Sequence, residues 1–355
     1  MLVLPGLIDV HVHMREPGGA HKEDWSTGTA AALAGGFTAV CAMPNTQPAV
    51  ADEASLDLAL RCASARARCD YAHFVGAGPD NARAVVALAP RAAGLKLYMD
   101  STFGDLRLGD IGLWMDHFEA WPKDAPLAVH AEVLSAAGAI LLADLFDRSV
   151  HVCHVSRREE ILLIAKAKER GLKVTCEVAP HHLVLSEEDI SHLGFGRSEV
   201  RPRLASPADR RFLWEHLDVI DCFATDHAPH TVEEKESDRP PPGFPGLETA
   251  LPILLKAVHD GRMTLDDLTR RLHTRPLEIF GFEPQPDTFV EVDVDAEWII
   301  PPRLPFTRCG WTPFAGLSVR GRVERVVLRG QEAFAGGRVL SPEGAGEDLR
   351  QGGSR

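Results

Sequence analysis

Cysteine shows none of the spacings that build structural sites. The seven cysteines are scattered and odd in number, and no CxxC pair occurs. This argues against a disulfide framework or a thiolate zinc knuckle and favours a reducing compartment, so we expect a cytoplasmic protein whose thiols are mostly core residues. The sequence also lacks a signal peptide and an apolar run of membrane-spanning length, so we expect no membrane partner.

Positive charge is also scarce. The 355 residues include 38 Lys and Arg against 51 Asp and Glu, which gives a formal net charge of −13. A surface of this sign repels nucleic acids and anionic membranes, so we expect no nucleic-acid partner. An anionic substrate would have to be held by a few local cations. The hydrophobic fraction of 45% is that of an ordinary globular protein whose core needs no disulfide.

Strand-like and helix-like segments alternate along the first two thirds of the chain. The predicted strands are 7–13, 37–42, 71–76, 94–97, 127–130, 150–154, 173–177 and 220–224. Amphipathic helical patterns lie between them, at 24–34, 54–67, 109–121, 134–146 and 157–170. Eight strands that alternate with helices predict an α/β fold of the (β/α)8 TIM-barrel type. A doubly wound sheet is the alternative, but no GxGxxG follows the first strand.

The periodicity divides the chain into three parts. Residues 1–285 are predicted to form the barrel, and 286–342, which alternate like short strands, a small β appendage packed on it. Residues 343–355 are Gly-rich and polar, so we expect a flexible tail or linker. Because the chain opens almost directly on a strand, we expect a domain cut from a longer protein.

The most informative segment is 6–15, which reads Gly-Leu-Ile-Asp-Val-His-Val-His-Met-Arg. Side chains two apart on a strand share a face, so His11 and His13 point the same way. Two like-facing imidazoles at a strand end are half of a metal site. A pair of hydrogen-bonded core histidines would fit the same pattern. Other strand ends must therefore supply the remaining ligands.

Further ionisable residues stand at the carboxyl ends of later strands, where barrel enzymes build their sites. They are Lys96 at strand four, His130 at strand five, His154 at strand six, Glu177 and the pair His181-His182 after strand seven, and Asp226 after strand eight. Burying so many polar groups at one mouth without a common partner would be costly, and a metal ion supplies that partner. Nitrogen and carboxylate oxygen suit Zn²⁺. An ammonium would repel the cation, whereas a CO2-derived carbamate on Lys96 would offer two oxygens to two metals.

Five motifs together resemble the amidohydrolase superfamily, and within it the dihydroorotases, above all the dihydroorotase domains of multifunctional animal pyrimidine-synthesis proteins. The motifs are His-Val-His-Met-Arg-Glu-Pro-Gly (11–18), Met-Pro-Asn-Thr (43–46), Gly-Leu-Lys-Leu-Tyr (94–98), Cys-Glu-Val-Ala-Pro-His-His (176–182) and Asp-His-Ala-Pro-His (226–230). The resemblance runs from about residue 4 to residue 340. It implies a reversible cyclic-amide hydrolase that interconverts N-carbamoyl-L-aspartate and L-dihydroorotate in pyrimidine biosynthesis.

The resemblance also implies a ligand set. His11, His13 and Asp226 would bind one zinc, His130 and His154 a second, and carboxylated Lys96 would bridge the two. A third zinc near His11, Cys153 and Glu177 is known in the domains resembled. Since adjacent residues of a regular strand face opposite sides, Cys153 and His154 can both be ligands only where the strand end is irregular. Otherwise Cys153 is a buried core thiol.

Substrate contacts are implied as well. Arg15, Asn45 and His230 would hold the substrate carboxylate, and Arg201, Pro242 and Gly243 would contribute further contacts. Arg15 keeps the parity of His13 and is expected to continue the same strand. Thr102 and Phe103 lie in 99–108, which is expected to be a mobile lid that excludes water. Asp226 would take a proton from water and deliver it to the leaving nitrogen.

The family implies partners too, namely a homodimer and sibling carbamoyl-phosphate synthetase and aspartate transcarbamoylase domains. Two other functions remain open. Hydantoinases and allantoinases share the metal ligands, but hydantoinases use a Tyr shortly after the bridging Lys. The equivalent stretch here offers Ser101 and Thr102, and the only tyrosines are Tyr71 and Tyr98. An inactive dihydroorotase-like scaffold is the other, although such relatives have typically lost ligands that this sequence keeps.

Overall fold

The chain closes into a barrel of parallel strands. The structure, a computed structural model, describes residues 1–351. After a short strand β1 (Leu2–Pro5), the barrel strands are β2 (Leu7–Val12), β3 (Phe37–Ala42), β4 (Asp70–His73) with its continuation β5 (Val75–Gly76), β6 (Leu95–Tyr98), β7 (Leu127–His130), β8 (Val150–Val152), β9 (Val174–Val178) and β10 (Cys222–Phe223). Neighbours pair in parallel from β2 to β4 and from β5 to β10. A bridge between Val12 and His227 closes the ring, so the predicted (β/α)8 barrel is confirmed.

Helices surround the barrel and are joined to it by short loops. They are α1 (Trp25–Ala34), α2 (Glu53–Arg66), α3 (Ile111–Ala120), α4 (Leu134–Leu145), α5 (Arg158–Glu169), α6 (Pro180–Val184), α7 (Ile190–Leu193), α8 (Pro207–Glu215), α9 (Val232–Lys235), α10 (Ala250–His259), α11 (Leu265–Thr269) and α12 (Arg275–Phe280). Asp24 and Asp52 cap α1 and α2 by accepting from the amides of Thr27 and Ser55. The five helices predicted from periodicity therefore appear within two residues of the expected bounds.

Some connections between these elements contain short helices that are wound more tightly or more loosely than an α-helix. They are 3-10 helices at Ala84–Arg91, Glu187–Asp189 and Leu217–Val219 and a π-helical turn at Arg270–Thr274. Among residues 1–351, no helix combines the length and the apolarity that a membrane crossing requires.

The β appendage differs from its predicted bounds. It is an antiparallel sheet in the order β1, β11 (Phe289–Ile299), β12 (Ser318–Leu328), β13 (Gln331–Ala335) and β14 (Arg338–Val339). Strand β1 comes from the start of the chain and pairs with β11, with Leu2 opposite Val292. The elements change from barrel to appendage between Phe280 and Phe289, around the predicted boundary, but the four residues of β1, expected in the barrel, belong to this sheet. Local alternation could not show which distant strand β1 would join.

The C-terminal segment is not the expected free tail over its described part. The Tyr71 amide donates to Glu347 (2.9 Å), and the Leu349 amide donates back to Tyr71 (2.8 Å), so this segment pairs with β4. Arg350 donates to the carbonyl of Phe280 (2.6 Å). Residues 343–351 are thus packed against the barrel, whereas 352–355 lie outside the described residues. The Gly-rich composition pointed to a linker, but backbone hydrogen bonds hold the segment.

Asp70 joins the three parts of the chain. This buried carboxylate at the start of β4 pairs with Arg329 after β12 and accepts from the Gln285 amide (2.6 Å) and the Glu347 backbone (2.9 Å). Burial raises the pKa of Asp70, so its charge depends on these donors. One side chain thereby connects barrel, appendage and C-terminal segment.

We predict that Arg329→Ala destabilises the fold, because it leaves the buried Asp70 carboxylate without its guanidinium. The loss of a hydrogen bond to a charged group corresponds to about 2 kcal/mol. Urea unfolding followed by circular dichroism would measure it, with Arg338→Ala, an exposed arginine of the same sheet, as the control. Equal midpoints for the two variants would contradict the role given to Asp70.

Candidate metal and substrate site

An enclosed cavity lies at the carboxyl ends of the barrel strands. Twelve of the sixteen residues predicted from sequence line it: His11, His13, Arg15, Asn45, Thr102, Phe103, His130, His154, Arg201, Asp226, Pro242 and Gly243. The other four, Lys96, Cys153, Glu177 and His230, contact these or one another just behind the wall. The structure therefore brings these sixteen residues together, whereas His181 and His182 are buried but do not line the cavity.

His11, His13 and Asp226 form one compact group of donors. Asp226 Oδ1 lies 3.1 Å from His13 Nε2 and 3.4 Å from His11 Nε2, and one ligand atom of each residue lies within 4.8 Å of the others. Although burial alone would raise it, the pKa of Asp226 is held below its usual range by His11 and His13. Burial lowers the pKa of His13 to about 4. A neutral imidazole beside an ionised carboxylate is the protonation state that a metal requires.

His130 and His154 form a second group, at the end of β7 and just beyond the end of the neighbouring strand β8. His130 Nδ1 lies 2.9 Å from His154 Nε2, while His130 Nε2 and His154 Nδ1 are buried without a hydrogen-bond partner in the described chain. Burial, with Lys96 nearby, lowers the pKa of His130 to about 3, and that of His154 falls well below its usual value. Neutral, buried imidazoles with orphaned nitrogens fit a cation as their partner.

Lys96 lies on β6, next to the strand β7 that ends with His130. It is completely buried, and its Nζ lies 2.8 Å from Cys153 Sγ. No carboxylate of residues 1–351 forms an ion pair with it. A buried ammonium without a counter-charge is costly, so this position suits a lysine that is chemically neutralised or turned into an anion.

A third group surrounds Glu177. Its carboxylate contacts His11 Nδ1 through one oxygen and His151 Nε2 (3.0 Å) through the other, and with Cys153 and His11 it forms another set whose donor atoms lie within 4.8 Å. The two histidines hold the pKa of Glu177 below its usual range, against the effect of burial. Glu177 can therefore orient His11 as a metal ligand or take part in binding a further ion.

The ends of three site-bearing segments have left-handed backbone. The φ angles are +58° at Arg15, +34° at His154 and +47° at Asp226, which L residues adopt only at a cost. Strand β8 has already ended at Val152, so Cys153 and His154 escape the alternation of a regular strand and both reach the site. Strand β2 ends at Val12, so the expectation that it continues to Arg15 is wrong; a turn, not strand parity, aims Arg15 into the cavity.

Arg15 is the buried cation among the residues that line the cavity. It is 5% exposed, donates through Nε to the Pro229 carbonyl (3.0 Å), and places Nη2 2.9 Å from His230 Nε2. Its guanidinium also lies 5.1 Å from the centre of the Phe103 ring. Burial lowers the pKa of Arg15 to about 10, so it remains a cation at neutral pH. It is a local cation of the kind that an anionic substrate needs.

The segment that carries Thr102 and Phe103 covers the cavity. Asn45 connects this cover to the donors, since its Oδ1 lies 2.7 Å from His13 Nδ1 and its Nδ2 donates to the Phe103 carbonyl (2.9 Å). The enclosed space is only about 20 Å³, room for about one water molecule. Any larger ligand therefore requires part of the wall to move, as expected of a lid.

The opposite wall is the Pro/Gly loop after α9. A Cβ on Gly243 would lie 2.3 Å from the Ala228 carbonyl oxygen, and its φ is +144°, so only glycine fits there. Lys235, which sequence analysis missed, fixes this loop by donating to the carbonyls of Glu199, Pro241 and Gly243. Arg201 also lines the cavity, but it is paired with Glu199.

Tyr98 is another residue that sequence analysis did not assign. It lines the cavity, and its buried hydroxyl has no hydrogen-bond partner among the described residues. Burial keeps the pKa of this phenol well above its usual value, so it stays a donor. Its position two residues after Lys96 on β6 was the available signal, because side chains two apart on a strand share a face.

Comparisons with known proteins show the family. A dihydro-orotase-like family model matches residues 1–85. The multifunctional protein CAD of Squalus acanthias is 57% identical over 350 residues, which cover 99% of this chain and 16% of that protein. The dihydroorotase of Pyrococcus horikoshii is 36% identical over 358 residues, covering 93% of this chain and 80% of that enzyme.

A solved structure shares the fold. The inactive dihydroorotase-like domain of the CAD-like multifunctional protein of Chaetomium thermophilum has a TM-score of 0.84 and 31% identity, covering 98% of this chain and 99% of that one. This chain thus spans 16% of the length of its multifunctional relative from Squalus but most of a single-function dihydroorotase. With its barrel, its donor groups and 36% identity across 80% of the Pyrococcus enzyme, the chain belongs to the dihydroorotase family.

Proposed function

We propose that this chain is a zinc-dependent dihydroorotase that catalyses the reversible cyclisation of N-carbamoyl-L-aspartate to L-dihydroorotate in pyrimidine biosynthesis. The observation that carries the proposal is a buried cavity lined both by metal-type donors and by the buried cation Arg15. A substrate with a reactive amide and a carboxylate matches that combination. A metal hydrolase of neutral amides would have no use for a buried arginine at this position.

The donor groups define which residues would hold the metals. His11, His13 and Asp226 would take one zinc, and His130 and His154 the other. Lys96, carboxylated by CO2, would reach both, which removes the cost of its buried ammonium. When bound, the pair of ions would lower the pKa of a water and polarise the amide carbonyl. Cys153 and Glu177 with His11 are candidates for a third ion.

The substrate carboxylate would meet Arg15, His230 and Asn45. Arg15 offers forked donors that suit bidentate pairing, and its neighbour His230 lies 2.9 Å away. Asn45 would have to exchange its bond to the Phe103 carbonyl for one to substrate, so binding and movement of the lid would be linked. Arg201, Pro242 and Gly243 would complete the wall around the ring.

Asp226 would carry the proton in both directions. In ring opening its carboxylate accepts a proton from the attacking water and returns it to the ring nitrogen as the C–N bond breaks. In ring closure the steps reverse. Asp226 takes the proton from the attacking nitrogen and gives it to the departing hydroxide, which leaves as water. The depressed pKa of Asp226 supports its ionised form at neutral pH. Thr102 and Phe103, held over the cavity, would exclude bulk water.

Two partners belong to the same proposal. A homodimer is supported by an exposed apolar face on α3 and α4, where Ile111, Leu134 and Leu145 are 54%, 85% and 65% exposed. Sibling carbamoyl-phosphate synthetase and aspartate transcarbamoylase domains are supported by the match to 16% of a multifunctional relative.

Lys96→Ala and Asp226→Ala are each predicted to lower the turnover of dihydroorotate by the zinc-loaded protein at least about 1000-fold, about 4 kcal/mol of lost transition-state stabilisation. The loss of dihydroorotate over time measures it. Lys166→Ala and Asp218→Ala, which change exposed residues of the same types, should keep the wild-type rate. Wild-type rates in both site variants, with the fold intact by circular dichroism, would refute the proposal.

The choice of substrate tests the role of Arg15 separately. Arg15→Met should lower kcat/KM for dihydroorotate about 100-fold, or about 2.7 kcal/mol, because the carboxylate loses its charged partner. Dihydrouracil has the same ring without the carboxylate, so its weak turnover should change little. Arg203→Met, an exposed neighbour of the cavity wall, is the control. Fast turnover of dihydrouracil without turnover of dihydroorotate would favour a hydantoinase instead.

A further inference from the structure

A groove on the outside of the barrel lies between α8, α10 and the start of β12. We call it the α8–α10 groove, and its volume is about 520 Å³. Its lining includes Arg211, Trp214, Ile253, Arg262 and Val319. None of these residues lines the active-site cavity, so the groove is a separate place in the fold.

The charged residues of this groove are mostly cations, although the chain as a whole has a negative net charge. Its walls carry Arg210, Arg211, Lys256 and Arg262 but a single acid, Asp260, although the chain has a net charge of −13. Low-dielectric walls with charges of one sign concentrate the local potential. The groove is therefore a region of positive potential on an acidic protein.

Two of the four cations are uncompensated. Lys256 is neutralised by Asp260 at 2.6 and 2.7 Å, and Arg210 donates to the Val184 carbonyl (3.0 Å) with Asp189 3.9 Å away. Within residues 1–351, no carboxylate comes within the 4.0 Å of an ion pair with either Arg211 or Arg262. Both guanidinium groups are exposed, so an anion could pair with either without breaking an ion pair, although Arg262 also lies over the Trp214 ring.

The floor of the groove is apolar and has an ordered aromatic edge. Ile253 and Val319 are buried beneath it. Trp214 is fixed by its indole N–H, which donates to the Leu183 carbonyl (2.8 Å), and the Arg262 guanidinium lies 5.2 Å from its ring. An indole with an arginine over it forms a flat surface on which a planar ring can stack.

Together these features select a class of ligand. A small inorganic anion would satisfy the arginines but leave the apolar floor uncovered, and an apolar ligand would leave the guanidinium groups unpaired. The volume lies in the range that holds drug-sized molecules. Forked guanidinium donors match phosphate oxygens well. We propose that the α8–α10 groove binds a nucleoside phosphate, with the phosphates at Arg211 and Arg262 and the base near Trp214.

Titration calorimetry on the metal-loaded protein tests this proposal with ATP in excess Mg²⁺, inorganic triphosphate and adenosine as probes. ATP should bind at one site per chain. Arg211→Glu with Arg262→Glu should weaken ATP at least tenfold. Arg61→Glu with Arg338→Glu changes the net charge equally at exposed positions outside the groove, and it should leave ATP affinity unchanged. Triphosphate and adenosine should each bind at least tenfold more weakly than ATP.

Several outcomes would overturn the proposal. They are no binding of ATP at millimolar concentration, equal weakening by both double variants, triphosphate as tight as ATP, or capture of a polyglutamate peptide in place of ATP. Arg211→Gln with Arg262→Gln keeps the test valid if charge reversal disturbs the fold. Because binding is measured without turnover, its failure is distinct from a failure of the dihydroorotase proposal.

Discussion

Several imidazoles, carboxylates and one amine are removed from water at the same place. The fold has to compensate for the free energy that this desolvation costs. His130, His154 and Lys96 are buried with nitrogen atoms that find no adequate partner in the described protein. Such desolvation would cost several kcal/mol for each charged group. Neutral histidines beside ionised Asp226 are the arrangement that a cation compensates. The same metals that would catalyse the reaction would therefore also stabilise the mouth of the barrel.

The barrel meets this constraint by leaving regular geometry where its strands end. Left-handed backbone at Arg15, His154 and Asp226 turns side chains into a mouth that straight strands would not fill. Lys235 fixes the loop opposite, and Asn45 connects the lid to a metal-type donor. In the mechanism proposed here, rigid strands would position the reacting groups, while the segment with Thr102 and Phe103 would control access.

Much of this could be predicted from sequence because the signals are local. Strand and helix periodicity located the barrel, and ionisable residues at strand ends located the site. Long-range pairing could not be predicted in this way: β1 joins a sheet almost 290 residues away, and the C-terminal segment pairs with Tyr71. The turn that follows β2 could not be predicted either. Arg15 does reach the site, but not because the strand continues to it, as we expected. Tyr98 was missed because strand alternation shows which face a side chain lies on, but not whether that side chain binds a ligand or only lines the cavity.

We propose that the buried donors form a two-metal centre bridged by a modified lysine. Crystal diffraction at the zinc absorption edge, from protein supplied with zinc and bicarbonate, would locate both ions and the modification. We expect one anomalous peak among His11, His13 and Asp226, a second beside His130 and His154, and carbamate density on Lys96 between them. Absence of both peaks, or two zinc ions with an unmodified Lys96 amine, would contradict it.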